Sequence, residues 1–283
     1  MQSFRIILFL PHKATAMYKY LVIFGFCISN LMAQKGYYPT NSAIGAGMGN
    51  SLVAAAGADA LFANVAGLGF LDRPNLSLYA ERRFLLDALN GLGAAYALPT
   101  NSGTFLLKAQ YYGFQPYNEQ QLAVGYARKF LDRLSIGVQL QYQGFNVENF
   151  GSKSMLSFEA GIQYQVSSQL AIGVQVINPV QQRIATEDFL QTVFKAGVSW
   201  KPSKLLMINA EIEKSQLADL RFKGGLNYKL MDRFYIRTGI MTQPTVYCFG
   251  FGFIVTPKFQ FDLAANYHLQ LGLSPALGMN YRF

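Results

Sequence analysis

From residue 75 to the last residue, Phe283, the chain repeats one pattern. Apolar side chains recur at every second position over segments of about ten residues, and short polar turns separate the segments. A period of two sends alternate side chains to opposite faces of a strand. Fourteen such segments can be read, near 75–83, 89–98, 103–113, 119–130, 133–146, 154–166, 169–178, 191–201, 204–214, 219–230, 233–242, 245–256, 258–268 and 271–283. The chain is 51% hydrophobic and only 14% charged, where a soluble domain carries about a quarter charged residues. Past residue 33, however, no run approaches the ~20 apolar residues of a membrane helix. Apolar residues spread along strands in this way predict an all-β fold, a 14-stranded antiparallel transmembrane β-barrel.

The turns agree. Connections after the even segments are short and alike, as in Leu131-Asp132-Arg133, Ser167-Ser168-Gln169 and Met231-Asp232-Arg233. An even count leaves both ends of the barrel on that short-turn side, the periplasmic side in bacterial barrels. The other connections vary more, and the longest spans 178–190. Parity then assigns faces. Leu134, Ile136, Val138 and Leu140 point to lipid, and Ser135, Gly137, Gln139 and Gln141 to the lumen. The same parity turns Tyr126, Tyr164, Trp200, Tyr228 and Tyr281 outward near the short-turn ends, where amphipathic rings favour a membrane interface.

Two features stand out on the inward parity. Glycine is concentrated there, at Gly91, Gly93, Gly125, Gly137, Gly161, Gly173, Gly197, Gly225, Gly239, Gly250, Gly252 and Gly278. These glycines either relieve barrel curvature or clear space for another backbone. Charges of both signs share the parity: Glu81, Arg83, Lys108, Glu159, Lys195, Glu211, Glu213, Arg221, Lys223, Arg237 and Asp262. Buried charges must be paired, so they form either an ion-pair network or a polar route for a solute.

The N-terminal part lacks strand alternation. Residues 1–33 read as a cleaved signal peptide, with apolar 21–28 and Leu31-Met32-Ala33 before the cut. Met17 is an alternative start. Residues 34–74 form a hatch, Gly- and Ala-rich over 37–71, with a short helix expected at 52–61. The hatch would enter the lumen from the short-turn side.

Other chemistries find little support. There is no basic cluster to bind nucleic acid, and one cysteine, Cys248, remains after the signal. No metal-ligand spacing occurs, and no cofactor is expected. Gly45-Ala46-Gly47-Met48-Gly49-Asn50 follows no strand and lacks the later glycine of a dinucleotide loop. A trio of His268, Asn266 and Ser274 is the only constellation for nucleophilic catalysis. A hydrogen-bonded rim histidine is the plainer reading, so no catalytic residue is assigned.

Residues 43–69, AIGAGMGNSLVAAAGADALFANVAGLG, resemble the N-terminal hatch of the FadL-like superfamily of outer-membrane barrels. That group includes long-chain fatty-acid transporters and the PorV/PorQ proteins of Bacteroidota type IX secretion. Its members carry a G-M-G-G-A segment, an acidic residue and N-P-A-G-L. Gly47, Met48 and Gly49 match the first, Asp59 the acid, and Asn64 and Gly67 lie in the last, with Val65 replacing proline and Asn50 the second glycine. The later strands look more like the PorV/PorQ side. The resemblance implies a plugged fourteen-stranded barrel in the outer membrane of a Gram-negative bacterium, one of the Bacteroidota, surrounded by outer-membrane lipid. It leaves two functions open. One is passage of a fatty-acid-like hydrophobic ligand by hatch movement and lateral exit through the wall. The other is a non-transporting component among secretion-machinery proteins. No ligand-binding residue can be carried over.

Overall fold

The computed structural model describes residues 42–180, 182–183, 189–216 and 218–283. The expected signal peptide, 1–33, and the first part of the hatch lie outside the described residues. Fourteen antiparallel strands close into one barrel. They are β1 (Asn75–Arg82), β2 (Asn90–Thr100), β3 (Gly103–Phe114), β4 (Tyr117–Phe130), β5 (Leu134–Val147), β6 (Gly151–Gln165) and β7 (Leu170–Ile177), then β8 (Val193–Trp200), β9 (Leu206–Ser215), β10 (Arg221–Met231), β11 (Phe234–Met241), β12 (Val246–Thr256), β13 (Phe259–His268) and β14 (Gly272–Arg282). β1 pairs β14 from Asn75↔Arg282 to Glu81↔Ala276 and closes the ring. Closure leaves the barrel sheet without an edge.

Every expected strand is present, because the two-residue period alone decides which residues can share a wall. The longest connection, between β7 and β8, carries an element the pattern did not announce, a small hairpin of Gln182–Arg183 with Phe189–Leu190. At the short-turn end, Leu131 and Asp132 have φ of 48° and 60°. Two left-handed residues in succession match the twist of a tight hairpin. The wall is uneven in height. β4, β5 and β6 have 14, 14 and 15 residues, against 8 to 11 in β7 to β14.

The outward face is apolar and exposed, as at Leu107, Val138, Phe249, Phe261 and Leu277. Tyr164, Trp200 and Tyr228 are exposed there too, while Tyr126 and Tyr281 are half-buried against the outward Phe105 and Phe283. A continuous apolar band of this kind suits hydrocarbon rather than water.

The core lies inside the barrel, where residues 42–71 meet the inward wall. Leu61, Phe62, Val65 and Leu68 pack with Tyr79, Ala97 and Leu106. Ile44, Met48 and Leu52 pack with Met207. Burying each large side chain stabilises by about 1.5–3 kcal/mol. The helix expected at 52–61 is absent. The only α-helix of this segment, α1, is Ala43–Gly47, whose first turn donates from Gly45 N–H to Ser42 Oγ at 3.0 Å. Gly57–Ala60 and Val65–Phe70 are short 3-10 turns. Gly57 has φ +73°, which breaks a right-handed run. Wall side chains take over the hydrogen bonds that a helix would have made for itself.

Candidate functional site

The inward glycines are the seats of residues 42–71. A Cβ at Gly137 would lie 2.6 Å from Ala66 N, and one at Gly278 would lie 2.7 Å from Ala43 Cβ. At Gly161 it would strike Asn64 Oδ1, at Gly173 Val53 O, at Gly225 Met48 O and at Gly239 Gly49 N. Between curvature and close backbone approach, the contacts at these positions give the second. Gly252 serves differently. Its missing side chain leaves room for Asp262 and Arg237, whose atoms lie 2.7 and 2.8 Å from the Cβ position.

The wall also satisfies the irregular backbone. Val53 N–H donates to Glu211 Oε2 at 2.9 Å. Gln163 Nε2 donates to Ala54 O at 3.0 Å, and Gln175 Nε2 to Ala63 O at 3.1 Å. Such groups left unpaired in the interior would each cost about 1–3 kcal/mol.

The motif residues fall along this seat. Gly47 packs on Gly250, and Gly49, at φ +62°, leaves a Cβ position 2.7 Å from Gly224 O. Met48 and Asn64 are fully buried. Asn64 Oδ1 accepts from Ala66 N–H at 3.1 Å, and its Nδ2 donates to Val53 O at 2.9 Å and to Val174 O at 3.3 Å. A Cβ at Gly67 would sit 2.6 Å from Ala60 Cβ. Asp59 is half-buried in its 3-10 turn. Desolvation raises its carboxyl above the usual range, against the pull of Arg237, Lys201 and Arg282.

The inward charges are organised in pairs set by the register. Lys223 faces Glu211 and Arg221 faces Glu213 across β9 and β10, while Lys195 faces Glu213 across β8 and β9. Lys223 Nζ lies 3.0 Å from Glu211 Oε1, Arg221 3.0 Å from Glu213 Oε1, and Lys195 3.8 Å from Glu213 Oε2. Glu211 therefore joins the wall network to the backbone of the inner segment. Arg237 NH1 meets Asp262 Oδ1 at 2.7 Å across the glycines of β12. Asp262 also accepts from Gln260 and Asn280. Glu159 accepts from Gln175 at 3.0 Å.

Charge and motif reasoning missed a belt of glutamines. In β1 to β5 the cross-strand partners run Tyr79, Gly93, Gln110, Gln121, Gln143. Their signal was the inward parity of uncharged amides, legible only once strands are paired. They line a cavity of about 100 Å³ at the end of the barrel opposite the short turns. Glu81, Arg83, Tyr112, Glu119 and Glu159 add polar groups, and Phe145, Ile177 and Leu190 add apolar ones. On the other side of the same wall lies an outward groove of about 650 Å³. Leu78, Ala80, Ala94, Ala109, Leu122 and Leu277 give it an apolar lining. Tyr79, Leu92, Gln110, Tyr111, Gln120 and Gln121 line both spaces.

The His268 trio does not assemble. His268 Nδ1 accepts from Gln270 N–H and Leu271 N–H at 3.1 and 3.2 Å, holding its own turn. Ser274 Oγ instead accepts from Phe84 N–H at 2.9 Å. Cys248 is buried on the inward wall.

No protein-family model matches the sequence, and no curated protein matches it. Solved structures do. A mutant of TodX, a monoaromatic hydrocarbon channel, aligns over 88% of this chain and 99% of its own at 10% identity, with TM-score 0.67. A FadL homologue from Pseudomonas aeruginosa covers 87% and 99% at 12% identity, TM-score 0.67. The toluene transporter TbuX of Ralstonia pickettii covers 89% and 100% at 12% identity, TM-score 0.66. At these identities the likeness is one of fold.

Proposed function

We propose that this protein is an outer-membrane barrel that passes small hydrophobic molecules, with residues 34–74 as its plug and the hatch motif and inward charges as the plug's anchorage. The observation that carries the reading is the pair of spaces placed back to back on β1 to β4. One opens at the loop end inside the barrel, and the other faces lipid. A solute entering from the loop end would reach the lipid-facing groove without displacing the plug. The fold of hydrocarbon channels and toluene transporters supports it. The ladders of β1–β2, β2–β3 and β3–β4 are unbroken, so lateral exit requires them to part. Gly93, Ala94 and Ala109 leave that stretch lightly encumbered by side chains. Ala94→Phe and Ala109→Phe would fill the groove, and toluene uptake into cells expressing these variants should fall about tenfold if filling costs ~1–3 kcal/mol. Unchanged uptake with normal surface levels would defeat the reading.

A second reading makes the barrel a component of a surface-assembly complex such as type IX secretion. The exposed Phe150 at the tip of the tall β5–β6 hairpin favours it. Gentle native extraction separates the two. Stoichiometric protein partners would replace the transport reading, and a lone barrel carrying an apolar ligand would support it.

A further inference from the structure

The loop-end cavity is built for hydrogen bonds, which plain hydrocarbons do not make. Gln110 and Gln143 line it, and both Oε1 atoms are buried without a hydrogen-bond partner. Gln121, between them in the belt, is already committed. Its Nε2 donates to Gln141 Oε1, Gln141 donates to Ser157 Oγ at 3.4 Å, and Ser157 donates to Asn178 Oδ1 at 3.0 Å. The Oε1 atoms of Gln110 and Gln143 stay outside this fixed amide ladder. A buried amide without a partner is costly, and several waters fit a space of this size.

The charge of the lining narrows the ligand further. Among the described residues, three carboxylates, Glu81, Glu119 and Glu159, and one cation, Arg83, line the cavity, and Arg83 is bound to Glu81. Lys108, fully buried, acts electrostatically on Glu159. An anionic head would find the lining cation already paired with Glu81. A hydroxyl, by contrast, donates and accepts, and so can satisfy a carboxamide oxygen while receiving from its NH2.

We propose that the cavity binds the uncharged, hydroxyl-bearing head of an amphiphile, with Gln110 and Gln143 as its hydrogen-bonding partners. This rests on the transport reading, and it names the substrate class of that path. The apolar tail lies toward the stretch of wall shared with the outer groove, where Tyr79 and Gln110 line both spaces. Selection follows from orphaned amides. A headless alkane leaves them unpaired, and a site built to hydrogen-bond a hydroxyl discriminates strongly against an analogue without one.

The test uses the full-length protein in nanodiscs and three radiolabelled probes with ten-carbon chains: monodecanoyl glycerol, decanoate and decane. Binding is corrected against empty nanodiscs. Monodecanoyl glycerol should bind about tenfold tighter than decanoate, the worth of roughly one to two net hydrogen bonds. Gln110→Leu and Gln143→Leu should each remove most of that preference. Heat-modifiable migration confirms that the variants are folded, and the head-group preference of the unmodified protein needs no variant. Equal or tighter binding of decanoate overturns the inference, as does undiminished glyceride preference in both variants. If decane binds but no head-group preference exists, only this inference falls. If none of the three binds, the transport reading falls with it.

Discussion

Replacing Asn64 with alanine removes three hydrogen bonds at one fully buried position. Two hold the inner segment to itself, through Ala66 N–H and Val53 O, and one ties it to Val174 O of β7. At about 0.5–1.5 kcal/mol net for each bond, the loss is roughly 2–4 kcal/mol. If the segment leaves its seat as a unit, its internal bonds go with it, and losing the one bond to Val174 O, worth about 1 kcal/mol, raises the population of the unseated state about fivefold. The same contact can be attacked from the wall. At Gly161 a methyl group would collide with Asn64 Oδ1, so Gly161→Ala should unseat the segment without touching its sequence. Single-channel recording in planar bilayers reads both as more frequent opening events. If the Asn64→Ala and Gly161→Ala variants open no more often than the unmodified protein, the seating geometry does not hold the lumen closed.

Arg237→Ala should destabilise the barrel by about 3–5 kcal/mol, because it leaves Asp262 buried without its cation. The donors Gln260 and Asn280 place the effect toward the low end, and urea unfolding in detergent measures it. Arg237→Ala with Asp262→Ala should recover part of the loss. Asp59 predicts a pH effect whose sign is fixed by its raised carboxyl. The seated state holds that proton more tightly, so seating is favoured at acidic pH and weakens as pH rises through the raised value. Opening should therefore increase as pH rises from the ordinary carboxylate range toward that raised value, and Asp59→Asn should flatten the profile.

The barrel was legible in the sequence because lipid outside and a packed lumen inside enforce strict alternation. Each strand, from Asn75–Arg82 to Gly272–Arg282, declares its own two faces. What alternation does not encode is the neighbour. Arg237 and Asp262 share a parity with nine other charges, and only the register shows that they meet across Gly250 and Gly252. Gln110, Gln121 and Gln143 look like ordinary inward polar residues until pairing sets them side by side. The inner segment was the least predictable part. Its Ala-rich stretch has helical propensity, yet Val53, Ala54 and Ala63 bond to Glu211, Gln163 and Gln175 instead. Tertiary partners override local preference there. The glycines allowed two readings by sequence, and the backbone contacts at Gly137 and Gly225 distinguish them.

The most direct test of the account is the conductance of the protein with residues 42–71 deleted, compared with the unmodified chain in planar bilayers. Heat-modifiable migration would first confirm that the shortened barrel is folded. A plug seated on the inward glycines predicts a steady open conductance in the deletion and a closed baseline in the unmodified protein. Equal conductance from the two folded barrels would contradict it.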